Sequence, residues 1–76
     1  MLGLKPIKTL PIREKIAATL REAILVRKIP AGEILTLEST AQELGVSITP
    51  VREAFQILAR DGLLELKQNK RAVVVG

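Results

Sequence analysis

The residues of this chain best suited to recognition chemistry fall in two groups, one at helical spacing and one in a polar turn. Ile48, Arg52 and Gln56 recur every four residues, one helical turn apart, and Thr49 stands beside them. Arginine can grip guanine with two parallel hydrogen bonds, glutamine can do the same for adenine, and threonine reaches a phosphate or a thymine methyl. Near the other end, Lys67, Lys70 and Arg71 surround Gln68 and Asn69, which gives a cationic turn suited to a phosphate backbone or a minor groove. Arginine and glutamine are also common on plain solvated helix faces, and basic turns on ordinary surface. The position of each group within the fold therefore decides its meaning.

Other chemistries are excluded by what the chain lacks. The 76 residues contain no Cys and no His. Disulfides, thiolate metal sites, cysteine nucleophiles, imidazole bases and Ser-His-Asp triads cannot be built. The Asp and Glu residues are scattered, and no phosphate-binding glycine loop is present. The expectation is a non-enzyme with no cofactor and no metal. With one Phe and no Trp or Tyr, stacking of single-stranded bases on aromatic platforms is disfavoured too. No apolar run approaches the ~20 residues of a membrane span. Residues 1–10 lack the apolar stretch of a signal peptide, so a cytoplasmic protein without membrane contact is expected.

Charge is unevenly spread. Residues 1–28 carry seven bases and two acids, residues 29–66 two bases and six acids, and residues 67–76 three bases and no acid. The formal net charge is +4. Basic ends around an acidic middle can grip a polyanion.

These side chains need elements to hold them. Residues 1–10 carry Gly3 and Pro6 without periodicity and read as an N-terminal arm; residues 11–76 read as one domain. Pro11 suits the first turn of a helix. Ile12, Ile16, Leu20 and Ile24 then repeat every four residues, widened by Ala17, Ala23 and Leu25, which predicts a helix ending near Arg27, ahead of Pro30 and Gly32. Ile34-Leu35 suggests a very short strand. Thr36 is a plausible cap for a second helix with Leu37, Ala41 and Leu44 on its apolar face, and Gly45 suits a left-handed end.

A third helix follows. Ser47 and Thr49 are both capable caps, the spacing does not choose between them, and Pro50 belongs in the first turn. Val51, Ala54, Phe55 and Leu58 form the inward face, and Gly62 closes the helix near Arg60. Leu63–Lys67 and Ala72–Val75 then read as two strands joined by the polar turn. The expected fold is mainly α with a small antiparallel β-hairpin: three helices plus a wing, a winged helix-turn-helix. In such motifs the start of the second helix of the pair enters the major groove.

The run Leu44-Gly45-Val46-Ser47-Ile48-Thr49-Pro50-Val51-Arg52-Glu53-Ala54-Phe55 resembles the recognition segment of the GntR family, in its FadR-like branch, whose usual form is L-G-V-S-R-T-P-V-R-E-A-L. Leu58–Leu64, Leu20–Leu25 and Ile29–Gly32 resemble flanking parts of the same domain, so the likeness extends over about residues 10–75. It implies a bacterial transcription regulator or repressor that binds a double-stranded DNA operator as a homodimer. The family's small-molecule effector site lies on a further C-terminal domain, for which this chain has no counterpart.

The family's DNA contacts fall on Ser47, Thr49 and Arg52, with wing contacts near Gln68, Asn69 and Lys70. The full set expected to meet DNA is Ser47, Ile48, Thr49, Arg52, Gln56, Gln68, Asn69, Lys70 and Arg71. Four positions depart from the family pattern: Ile48 replaces a base-reading Arg, Glu38 sits where some members place an Arg, Arg71 replaces the wing glycine, and Arg27 replaces a glycine after the first helix. The competing reading is a winged helix that binds protein and no nucleic acid.

Overall fold

The computed structural model describes residues 3–4 and 9–75. Of the expected N-terminal arm, residues 1–2 and 5–8 lie outside the described residues; Gly3, Leu4, Thr9 and Leu10 are exposed and form no regular element. The element order is α1 (Ile12–Leu25), β1 (Ile34–Thr36), α2 (Leu37–Leu44), α3 (Ile48–Arg60), β2 (Leu64–Lys67) and β3 (Arg71–Val74).

The amphipathic stripes become the core. Ile16, Ala17 and Leu20 of α1, Leu37 and Ala41 of α2, Val51, Ala54, Phe55 and Leu58 of α3, and Leu64, Ala72 and Val74 of the strands form one buried cluster. Helix α3 is the axle, since it packs on α1, α2 and β2. The ends of the α1 stripe are less buried than its repeat implies: Ile12 and Leu25 stay largely exposed. Leu44, expected on the apolar face of α2, lies at the exposed edge of that helix.

Helix boundaries follow from local hydrogen bonding. Pro11 is the cap of α1 and lies just before its first turn; its carbonyl accepts the Glu14 and Lys15 N–H groups at 2.9 and 3.2 Å. Thr36 caps α2, its hydroxyl accepting the Ser39 N–H at 3.1 Å. All three helices close with one motif, in which the N–H that follows a left-handed residue reaches back to the carbonyl five residues earlier. In α2 the left-handed residue is Gly45 (φ 69°), and Val46 donates to the Ala41 carbonyl at 3.0 Å. In α3 it is Gly62, with Leu63 donating to Leu58 at 2.9 Å. In α1 it is Arg27 (φ 62°), with Lys28 donating to Ala23 at 2.8 Å. Helix α1 therefore stops at Leu25, two residues before the expected end, and a side chain occupies a backbone position that favours glycine.

The wing is larger than a hairpin. Strand β3 is central in a three-stranded antiparallel sheet of order β1-β3-β2. On one side Thr36 pairs with Arg71 and Ile34 with Val73; on the other Lys67 pairs with Arg71 and Leu64 with Val74. Bonds from the Gly32 N–H to the Val74 carbonyl (2.8 Å) and from the Val74 N–H to the Glu33 carbonyl (2.9 Å) continue the β1 edge. Arg71 thus belongs to the strand, and the turn is Gln68-Asn69-Lys70, with Asn69 and Lys70 both left-handed at φ 61°. The Leu37 N–H donates to the Lys70 carbonyl at 3.1 Å, which ties the wing tip to the start of α2.

Candidate nucleic-acid interface

Helix α3 divides its side chains cleanly. Pro50, Val51, Ala54, Phe55 and Leu58 are buried, while Ser47, Thr49, Arg52 and Gln56 are exposed. The buried face fixes the helix and leaves the exposed one free to meet a ligand. Ser47 occupies the cap position in extended geometry (φ −77°, ψ 167°), yet its hydroxyl makes no cap hydrogen bond. Thr49 makes no side-chain hydrogen bond among the described residues either. Neither hydroxyl is committed to holding the helix end, so both can bond a ligand. Pro50 lies in the first turn, where its missing N–H is no loss.

Ile48 differs from its expected orientation. It is half-buried and packs against the core, so less of it faces outward than of Arg52 and Gln56. At the first helical position an aliphatic side chain can fold back over the helix-turn-helix junction, and burial favours that.

Between α3 and the wing tip runs a groove of ≈ 270 Å³. Its polar lining is Arg52 and Gln56 from α3 and Lys67, Lys70 and Arg71 from the wing; Leu37, Phe55 and Leu66 supply its apolar part. Four cations and no acid border it. Two segments separated in sequence by a dozen residues thus present one cationic cleft. Gln68 and Asn69 lie along a different concavity, on the outer side of the sheet with Ile34, Lys67, Arg71 and Val73. Ser47 and Thr49 sit at the α3 N-terminus and line neither. The candidate residues therefore form three neighbouring surfaces: the helix start, the groove and the outer wing.

Lys67, which the sequence places in the cationic turn but outside the nine residues of the full set, also lines the groove. Its place at the hairpin tip is visible in the sequence. Its position opposite Arg71 depends on strand register, which the sequence does not reveal.

Two ion pairs occur among the described residues. Arg21 Nη2 donates to Asp61 Oδ2 at 2.7 Å, joining α1 to the residue that ends α3. Lys67 Nζ donates to Glu65 Oε1 at 2.7 Å on the wing. Arg52, Lys70 and Arg71 have no ion-pair partner among the described residues. No group of three or more metal-ligating side chains occurs among them, and no helix is long and apolar enough to cross a membrane.

Comparison with known proteins agrees with this geometry. The family described as "Bacterial regulatory proteins, gntR family" matches residues 12–74. The chain is 40% identical over 62 residues to the gluconate operon transcriptional repressor of Bacillus subtilis (strain 168), and 39% identical over 62 residues to that of Bacillus licheniformis. Each match covers 82% of this chain, and the chain spans 25% of the length of each of these relatives. Among solved structures, YtrA from Sulfolobus acidocaldarius, a GntR-family transcription factor, superposes with a TM-score of 0.79 at 27% identity, over 91% of this chain and 73% of that one.

Proposed function

This chain belongs to the GntR family of bacterial regulatory proteins as a winged-helix DNA-binding domain, and we propose that it reads operator DNA through a division of labour between α3 and the wing. Arg52 carries most of the base readout, gripping a guanine edge in the major groove, with Gln56 one turn further along. Ser47 and Thr49 bond phosphates at the helix start. Ile48 offers at most an apolar edge to a thymine methyl, because it has no hydrogen to donate. Lys70 and Arg71 hold the backbone or minor groove, and Gln68 and Asn69 lie where the outer wing would pass beside it.

The observation that carries this reading is the acid-free groove that gathers Arg52, Gln56, Lys67, Lys70 and Arg71 from two separate elements. The likeness of Leu44–Phe55 to the family's recognition run supports placement in the FadR-like branch. By the same likeness the full regulator is a cytoplasmic homodimer that acts as a repressor, as the Bacillus relatives are named, with its effector site on a further domain. Two linked half-site contacts would then gain from effective concentration what one domain lacks.

A gel-shift titration against duplex DNA at several salt concentrations tests the reading. Affinity should fall steeply between roughly 50 and 200 mM salt, as phosphate contacts require. Binding that ignores salt would favour the protein-interaction alternative.

A further inference from the structure

The wing carries an acid where a DNA-gripping surface gains nothing from one. Residues two apart on a strand share a face, and Glu65 and Lys67 on β2 are bonded at 2.7 Å. Register places Lys67 directly opposite Arg71, and Glu65 opposite Val73. Directly opposed side chains stand about 4.5–5.5 Å apart at Cβ, where like charges repel. Arg71 has Thr36 as its other neighbour, which brings no charge. The face thus holds an opposed pair of cations, with Lys70 next in the chain, and Glu65 is the acid bonded to that cluster. Lys67 and Glu65 keep 50% and 62% of their side-chain surface exposed, so a polyanion can reach and displace the pair.

We propose that Glu65 is an internal stand-in for a DNA phosphate. In the free protein it occupies Lys67 and relieves the repulsion between Lys67 and Arg71. On duplex DNA a backbone phosphate takes its place, so binding exchanges one carboxylate for one phosphate. Glu65 thereby lowers the wing's sequence-independent grip without touching base readout, which raises the ratio of specific to non-specific binding. This inference rests on the DNA-binding reading above and assigns Glu65 a part in it.

The test is a double-mutant cycle in duplex gel shifts with Glu65→Gln, Lys67→Gln and the pair. Glu65→Gln should tighten binding about two- to five-fold at roughly 50 mM salt, the scale of an exposed ion pair. The gain should be alike on specific and random duplexes, shrink at higher salt, and steepen the salt dependence by less than about one unit. In the Lys67→Gln background the gain should vanish. Unchanged or weaker binding by Glu65→Gln overturns the proposal. So does a gain that persists without Lys67, which would mean plain repulsion between carboxylate and phosphate. Wild-type protein without salt-dependent duplex binding would overturn the DNA-binding reading itself, and the proposal with it; normal wild-type binding with a silent Glu65→Gln would overturn this proposal alone.

Discussion

Helix α3 and the wing tip face the same groove, yet they are built in opposite ways. Five residues of α3 are buried beneath its exposed face, three of them, Val51, Ala54 and Leu58, without any accessible surface. Its outward side chains are held on a rigid rod. The wing tip has a short turn with two consecutive left-handed residues, opposed cations and one backbone bond to α2. A rigid element suits base readout, where a small displacement loses a two-pronged hydrogen bond. A thinly supported, strongly charged element suits the phosphate backbone, where position matters less than charge. On the proposed reading, specificity and affinity fall to different kinds of structure.

Breaking the support of α3 should have the largest effect. Leu58→Ala removes a side chain with no accessible surface at the centre of the core and should cost about 2–5 kcal/mol in denaturant unfolding. A domain this small has roughly 3–5 kcal/mol to lose, so readout and fold should fail together. Leu66→Ala, on a wing residue 47% exposed, should leave the domain folded.

Next comes the reading face itself. Arg52→Ala should cost about 1–3 kcal/mol of binding to the specific duplex and relax preference at one base, while thermal unfolding stays nearly unchanged. Lys70→Ala should act differently: weaker binding to every duplex, with the salt dependence flattened by about one unit. If Lys70→Ala altered base preference, or Arg52→Ala weakened all sequences equally, the division of labour would be wrong.

The smallest effect lies away from the groove. Arg27 holds a left-handed conformation at the end of α1, where Gly45 and Gly62 serve α2 and α3. Arg27→Gly should raise stability by about 0.5–1 kcal/mol, the relieved backbone strain being partly offset by the flexibility of glycine in the unfolded chain. Calorimetry would show it as a higher Tm, with DNA binding unaltered.

Much of this was legible in the residues. The periodic runs of α1 and α3, the Thr36 cap, the Gly45 and Gly62 ends and the basic turn depend on neighbours within a few positions. What escaped depends on distant partners. The pairing of Ile34–Thr36 with β3 joins segments almost forty residues apart through a three-residue strand, too short to show an alternating pattern. The partial burial of Ile48 depends on a core surface that only packing between elements creates. The opposition of Lys67 and Arg71 is a matter of register, and it makes Glu65 more than a solvated acid. The end of α1 was misplaced because Arg27 adopts a conformation its residue type seldom takes.

The most direct test of the central claim is selection of bound sequences from a random duplex pool by the wild-type protein and by Arg52→Ala in parallel. The wild type should enrich a shared half-site, and Arg52→Ala should return the same half-site with one position, a guanine, left open. An unchanged half-site with Arg52→Ala, or no enrichment by the wild type, would contradict the assignment of base readout to α3.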